Sequence, residues 1–251
     1  MGEKKKVKSI LITQAANAEG MAPYVALGEK WGIKVDFRRF IRVDPVSLND
    51  FRKLNVHPLD FTGIIFTSKM AVDHFFRIVN EMRVEMPPET KYFCVGEAVS
   101  KYLQKYIIIR KRKLFVGERT ATDLIPFIEK HKKEVFLFPC NNILKGELPG
   151  YMRGKGMNIT EAELYLTVVE DLTDLKDIFY DMICFFAPSG IESLFKNFPE
   201  FKQNETRIAV LGPATVQVAK SNNLIVNVEA PRPGVPSLTS AIEEYLKESN
   251  K

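Results

Sequence analysis

The chain has 251 residues, 45% of them apolar and 27% charged, and its formal net charge is +5. This composition excludes a disordered, collagen-like or coiled-coil chain, and the length allows one large domain or two small ones. A positive charge this small is compatible with an anionic small-molecule ligand and argues only weakly for a nucleic-acid surface.

Short apolar runs alternate with helical patterns, which indicates an α/β protein with parallel sheets, since parallel strands need a crossover connection. In chain order we predict a strand at residues 9–13, a helix at 23–31, an extended segment at 33–43, a strand at 63–67, a helix at 70–79, a strand at 91–95, helices at 98–106 and 122–131, a strand at 134–138, a helix at 148–153, an extended segment at 158–169, and then alternating strands and helices at 182–186, 191–197, 208–211, 214–221, 225–228 and 238–248.

An internal repeat decides the domain organisation. Residues 66–72 (FTSKMAV) are echoed by residues 185–191 (FFAPSGI), a shift of 119, and residues 94–98 (CVGEA) by residues 210–214 (VLGPA), a shift of 116. We therefore predict two similar lobes, each a parallel, flavodoxin-like sheet flanked by helices, joined by a two-stranded linker. The predicted parts are a discontinuous lobe of residues 1–37 and 170–251, a central lobe of residues 44–160, and linker strands at 38–43 and 161–169.

The expected setting is the cytoplasm. No stretch approaches the ~20 consecutive apolar residues of a membrane span, and no signal-peptide pattern is present. Cys94, Cys140 and Cys184 each adjoin an apolar run, which favours buried free thiols. The basic runs at 4–8 and 110–113 lack interleaved aromatic residues and are interpreted as solvated segments. We expect a monomer with neither a nucleic-acid nor a membrane partner.

Four turns in which a strand leads into a helix are the candidate binding sites. The ends of parallel strands and the N–H groups of helix N-termini suit carboxylates or phosphates. Capping of the helices by Ser68, Ser189 and Thr215 is the simpler alternative for any single turn, whereas four turns on two lobes favour a cleft. The candidate residues are Thr67, Ser68 and Lys69; Gly96, Glu97 and Ala98; Pro188, Ser189 and Gly190; and Gly212 and Thr215.

Other motifs point to no conventional catalytic constellation. Neither a GxGxxG fingerprint nor a GxxxxGK[ST] loop follows a strand. Gly156 follows a helix and is interpreted as a helix stop. His57, His74 and His131 lack metal-ligand spacing, and His74 is expected to be exposed or in core contact. Tyr165 lies in a predicted interlobe crossing, where its phenol is either a weak general acid or a packing aromatic residue.

Taken together, these residues resemble the uroporphyrinogen-III synthase family over nearly the whole chain. The most specific stretch runs through residues 137–142 (LFPCNN), Leu148-Pro149, Lys155-Gly156, and Tyr165 with Thr167, and the turns of both lobes occur in the family's order. Three positions depart from the family pattern: Gln14 stands where Arg is common, Val99 where Thr is frequent, and Ala187 where Ser is frequent.

The resemblance implies a two-lobed enzyme without a cofactor or metal that cyclises hydroxymethylbilane to uroporphyrinogen III. The terminal pyrrole ring is inverted through a spirocyclic intermediate, and water is lost. By similarity, Tyr165 would assist departure of the hydroxyl. The turns named above, together with Cys140 and Asn142, would bind the substrate and its acetate and propionate groups. The alternatives are a two-lobed protein that binds an anionic ligand without reacting, and a tetrapyrrole-pathway protein that has lost activity.

Overall fold

The computed structural model describes residues 6–16, 18–143 and 146–250. These residues form strands β1 (Ser9–Ile12), β2 (Lys34–Phe37), β3 (Ile41–Pro45), β4 (Gly63–Phe66), β5 (Lys91–Val95), β6 (Leu114–Gly117), β7 (Val135–Asn141), β8 (Asn158–Val169), β9 (Met182–Phe185), β10 (Arg207–Leu211) and β11 (Val226–Ala230). Their helices are α1 (Ala18–Trp31), α2 (Leu48–Lys53), α3 (Lys69–Glu81), α4 (Glu97–Leu103), α5 (Ile125–Lys130), α6 (Glu147–Gly154), α7 (Pro188–Asn197), α8 (Pro213–Ser221) and α9 (Leu238–Ser249). No helix among the described residues is long and apolar enough to cross a membrane.

The chain divides into two compact units. Unit 1 comprises Met1–Arg42 and Val168–Lys251, and unit 2 comprises Val43–Thr167. The sheet of unit 1 has the order β11-β10-β9-β1-β2, and each strand pairs in parallel with its neighbours. This is the flavodoxin-like order, with β1 in the second position. Its core holds the buried Ile10 and Ile12 of β1 together with Ile242 and Leu246 of α9.

The second sheet has the order β3-β8-β7-β4-β5-β6. The strands from β8 to β6 pair in parallel, and β3 lies at the edge beside β8. β4 is fully buried because helices cover both faces of the sheet, which agrees with its continuous apolar run GIIF. The predicted α/β class with two helix-flanked sheets is therefore confirmed.

The repeat has a structural counterpart. The repeat β4–α3–β5–α4 in unit 2 corresponds to the repeat β9–α7–β10–α8 in unit 1. At the first turn of each repeat, Ser68 has φ −155° and ψ 161°, and Ala187 has φ −153° and ψ 155°. At the second, Gly96 has φ 78° and Gly212 has φ 86°. Equivalent residues of the two repeats thus share a backbone conformation.

Several predicted boundaries were wrong. The segment predicted as one extended stretch at 33–43 is two strands, β2 and β3, that belong to different sheets. The helix predicted at 98–106 ends at Leu103. The helix predicted at 122–131 begins as the 3-10 helix Ala121–Leu124 and continues as α5. Its cap is Thr120, in a capping box with Asp123. α2 and β6 were not predicted, because both are too short to show a period.

Close packing around β4 gives a stability prediction. A Cβ added at Gly63 would lie 2.9 Å from the ring of Phe136, which is fully buried and cannot move aside. We expect Gly63→Ala to lower the free energy of unfolding by about 1–3 kcal/mol, the usual cost of overpacking a core. Urea denaturation measures the difference.

Gly150→Ala is the matched control. Gly150 lies in α6, is exposed, and has no atom within 4 Å of an added Cβ. Because alanine has the higher helix propensity, this change should raise stability by up to ~1 kcal/mol. A Gly63→Ala protein as stable as the wild type would contradict the packing argument.

Candidate active site

The candidate site in unit 2 lies at the carboxyl ends of β4 and β7. These strands are neighbours in the sheet, but the chain continues from β4 towards β5 on one side and from β7 towards β8 on the other. Such a switch point leaves a crevice in which α/β proteins bind ligands. Thr67 and Ser68 follow β4 there, and Asn142 follows β7.

Ser68 forms the N-cap of α3. Its Oγ accepts a hydrogen bond of 3.1 Å from the backbone N–H of Ala71, so this residue does cap its helix. The capping alternative is wrong for Ser189 and Thr215, because the N-cap positions of α7 and α8 are Ala187 and Gly212. Neither helix has a side-chain cap. The N–H groups of their first turns therefore have no side-chain acceptor from the N-cap residue.

The two glycine turns are built alike. Gly96 and Gly212 both adopt a positive φ, which favours glycine because a Cβ would be strained there. The N–H of Gly96 donates to Gly117 O at 3.0 Å, and the N–H of Gly212 donates to Ala230 O at 2.6 Å. Each turn is thereby tied to the end of the neighbouring strand. Glu97 and Ala98 begin α4, and the exposed Glu97 pairs with Lys101 at 3.1 Å.

The other predicted residues differ in what their side chains can reach. Thr215 is only 2% exposed, so its side chain is not accessible to a ligand. A ligand at this turn would contact the backbone instead. Gly190 is buried, and an added Cβ would lie 3.3 Å from the Phe185 ring. Pro188 and Ser189 are half-buried in the first turn of α7. Lys69 is exposed, with its Nζ 5.5 Å from the centre of the Tyr102 ring.

A bulge in β8 determines where Tyr165 points. Cys140 pairs with Glu163, but the next residue, Asn141, pairs with Tyr165, so that Leu164 is the extra residue. Side chains alternate between the faces of a regular strand, and one extra residue reverses the alternation. As a result, Leu164 and Tyr165 both pack in the core cluster that contains α3.

The phenol of Tyr165 is buried between α3 and the strand end. The residue is 4% exposed, and its hydroxyl lies 3.5 Å from Ser68 Oγ. The ring of His74 stacks on it, with 4.8 Å between ring centres and an interplanar angle of 17°. Burial raises the pKa of Tyr165, and the Ser68 hydroxyl opposes that rise. The phenol is therefore protonated at neutral pH and carries a proton that it can donate.

Beyond the bulge, two asparagines hold β8 to β7. Asn141 Nδ2 donates to Thr167 Oγ1 at 3.0 Å. The amide oxygen of Asn142 accepts from the N–H of Thr167 at 2.8 Å, and its Nδ2 donates to Thr167 O at 3.4 Å. These bonds fix the segment that carries Tyr165.

Cys140 and Asn142 also line a polar cavity on the α6 side of this sheet, with a volume of about 410 Å³. Glu163 lines it too, and Arg153 pairs there with Glu161 at 2.5 Å. Burial, with Glu161 and Glu163 nearby, raises the pKa of Cys140 to about 12. The thiol is thus protonated at neutral pH and is not an activated nucleophile.

The structure brings together Ser68, Tyr165, His74, Asn141 and Thr167. His74, Asn141 and Thr167 were not predicted as site residues. His74 lies six residues after Ser68, about 1.7 turns of a helix, so their spacing does not predict a shared face and gave no signal of this contact. The bulge that turns Tyr165 towards them has no sequence signature.

The repeat supplies a matched pair of cap variants. Ser68→Ala removes the N-cap hydrogen bond of α3, so we expect it to lower stability by ~1 kcal/mol. Ala187→Ser adds a hydroxyl at the equivalent backbone conformation and should raise stability by several tenths of a kcal/mol, since the N–H of Gly190 already has a partner in Ala187 O at 3.1 Å. Urea midpoints at constant slope measure both changes. A stabilising effect of Ser68→Ala would be inconsistent with this cap.

Comparisons with known proteins agree with this architecture. The family model described as Uroporphyrinogen-III synthase HemD matches residues 22–240. The chain is similar to the uroporphyrinogen-III synthases of Saccharomyces cerevisiae (22% identical, over 98% of this chain and 99% of that protein) and Schizosaccharomyces pombe (28% identical, over 91% and 94%).

Among solved structures, the fold resembles a mutant uroporphyrinogen III synthase from Thermus thermophilus, with a TM-score of 0.68 and 13% identity over 97% of this chain and 99% of that one. It also resembles uroporphyrinogen-III synthetase from Helicobacter pylori, with a TM-score of 0.61 and 17% identity over 96% and 99%. The chain belongs to the uroporphyrinogen-III synthase family. The enzymes of this family are hydro-lyases of tetrapyrrole biosynthesis.

Proposed function

We propose that the substrate is hydroxymethylbilane. We further propose that Tyr165 donates a proton to the hydroxyl group of the substrate, which then leaves as water. One observation carries this assignment within the family: the protonated, buried phenol stands beside the hydroxyl-capped N-terminus of α3, at the switch point of the sheet. The C–O bond breaks with its electron pair on oxygen, and the adjacent pyrrole supplies electrons to form an azafulvene. The proton lost when the closing ring becomes aromatic again restores the phenol.

A weak acid suffices for this step. A neutral phenol has a pKa near 10, and burial raises the pKa of Tyr165 further, so the residue cannot drive an unfavourable departure. The pyrrole nitrogen assists the leaving group, however, and hydroxymethylbilane closes unaided to the uninverted isomer. The task of the protein is then to direct attack to the substituted carbon of the terminal ring, which is a task of orientation.

We assign the acetate and propionate groups of the substrate to the first-turn N–H groups of α3, α4, α7 and α8. Such amides, with the positive end of the helix dipole, bind carboxylates without a charged side chain. α4, α7 and α8 have no side-chain cap, which supports this role for their N–H groups. Thr67, Ser68 and Ser189 would add hydroxyl contacts, and Asn142 would contact the substrate beyond β7.

We also propose a monomeric enzyme of the cytoplasm. Cys94, Cys140 and Cys184 are all buried and free, which suits a reducing compartment.

The proposal is tested by a coupled assay. Porphobilinogen and hydroxymethylbilane synthase supply the substrate, and the porphyrin isomers are separated after oxidation. We expect isomer III to predominate when this protein is added and isomer I to predominate without it. Product that remains entirely isomer I, from a protein that still binds the substrate, would favour the non-catalytic binding protein instead.

For Tyr165→Phe, we expect kcat to fall on the order of tenfold or more with little change in KM. The variant keeps the buried ring and loses only the proton donor, and general acids contribute at least this much. Steady-state kinetics of isomer III formation measure both constants. Tyr102→Phe, which changes a phenol on α4 instead, is the control and should keep the wild-type kcat. An unchanged kcat in Tyr165→Phe would return this residue to a packing role.

A further inference from the structure

We infer that His74 is a positioning residue, which holds the ring of Tyr165 in the orientation that proton donation requires. This inference rests on the proposed function, because it concerns how the acid is oriented. It assigns no proton transfer to the histidine itself.

The hydroxyl of Tyr165 is weakly fixed by its own hydrogen bond. The 3.5 Å separation from Ser68 Oγ is at the long limit for an O–H···O bond, and the Ser68 oxygen is already engaged by the Ala71 N–H. The hydroxyl oxygen also lies on the axis about which the phenol ring rotates, so a hydrogen bond at that atom does not set the plane of the ring. The orientation of the ring must then come from the surfaces packed against it.

His74 supplies such a surface. Its ring lies nearly parallel to that of Tyr165, at 4.8 Å and 17°. Stacking of two aromatic rings adds to the energy of burial and restricts ring rotation. His74 is carried by α3, the helix that Ser68 caps. α3 therefore sets both the plane of the Tyr165 ring, through His74, and the position of Ser68 beside the hydroxyl.

Arg77 holds the backbone next to the same ring. It lies three residues after His74 on α3, and its Nη2 donates to Val46 O at 2.7 Å and to Leu164 O at 3.3 Å. Nη1 pairs with Glu81 at 2.9 Å. The residue before Tyr165 is thus bonded to α3, so that the helix fixes both the backbone and the ring of the proposed acid.

The ring of His74, rather than its nitrogen atoms, accounts for this role. Nδ1 is buried and has no hydrogen-bond partner among the described residues. Burial and the nearby Arg77 lower the pKa of His74, while Asp73 opposes this, so the imidazole is neutral at pH 7. Phenylalanine could therefore replace it, keeping the stack and removing an unsatisfied buried atom.

The test compares His74→Ala, His74→Phe and Tyr165→Phe, alone and combined, in the isomer III assay. We expect His74→Ala to lower kcat about two- to tenfold with KM within about twofold, the range that a lost aromatic stack would produce. His74→Phe should recover most of the wild-type kcat. In the Tyr165→Phe background, His74→Ala should cause no further loss, because the acid that it positions is gone.

Tyr106→Ala is the matched control for stability. Tyr106 stacks on Phe76 of the same helix at 4.9 Å and is 40% exposed, so this variant loses a similar stack away from Tyr165 and should keep its kcat. The inference is overturned if His74→Ala keeps the wild-type kcat while Tyr165→Phe lowers it. It is also overturned if His74→Phe is as slow as His74→Ala, or if Tyr106→Ala slows the reaction equally. An unchanged kcat in Tyr165→Phe would overturn the proposed acid step, and this inference with it.

Discussion

The candidate site in unit 2 depends on one extra residue in β8. Before the bulge, Glu161 and Glu163 face α6 and its cavity, while Ala162 packs towards α3. Without the bulge, Tyr165 would continue the glutamate series and face that polar cavity. The extra residue, Leu164, places the phenol against α3 instead. Its burial, its contact with the N-cap serine and its stacking partner all follow from that reversal.

In this arrangement the phenol of Tyr165, the thiol of Cys140 and the imidazole of His74 are neutral at pH 7. Burial raises the pKa values of both Tyr165 and Cys140, and it lowers that of His74. None of these groups is a strong nucleophile or base at neutral pH. The proposed reaction therefore depends on fixed dipoles, hydrogen bonds and orientation, which suits the proposed substrate, since that compound is reactive on its own.

The sequence predicted the order of elements better than the site. Apolar runs and the repeated FTSKMAV-like and CVGEA-like segments were sufficient for two α/β units, because burial and crossover connections impose those patterns. The bulge in β8 was not predicted, because a strand is recognised in a sequence by an unbroken alternation of apolar and polar residues. Ser189 was considered as a cap because residue type alone does not locate the N-cap, which is Ala187. Burial of Thr215 depends on packing that the turn sequence does not encode.

The discontinuity of unit 1 has a consequence for biosynthesis. β1 pairs with β2 and with β9, whose first residue is Met182, and Asn250 exchanges hydrogen bonds with the backbone of Val7 at 2.8 and 2.7 Å. All of unit 2 is synthesised before either later partner exists. Residues 43–167 can therefore fold while later residues are still being synthesised, whereas β1 completes its contacts only after β9 and Asn250 have been made. Loss of Asn250 would leave the backbone N–H and C=O of Val7, next to the start of β1, without these partners.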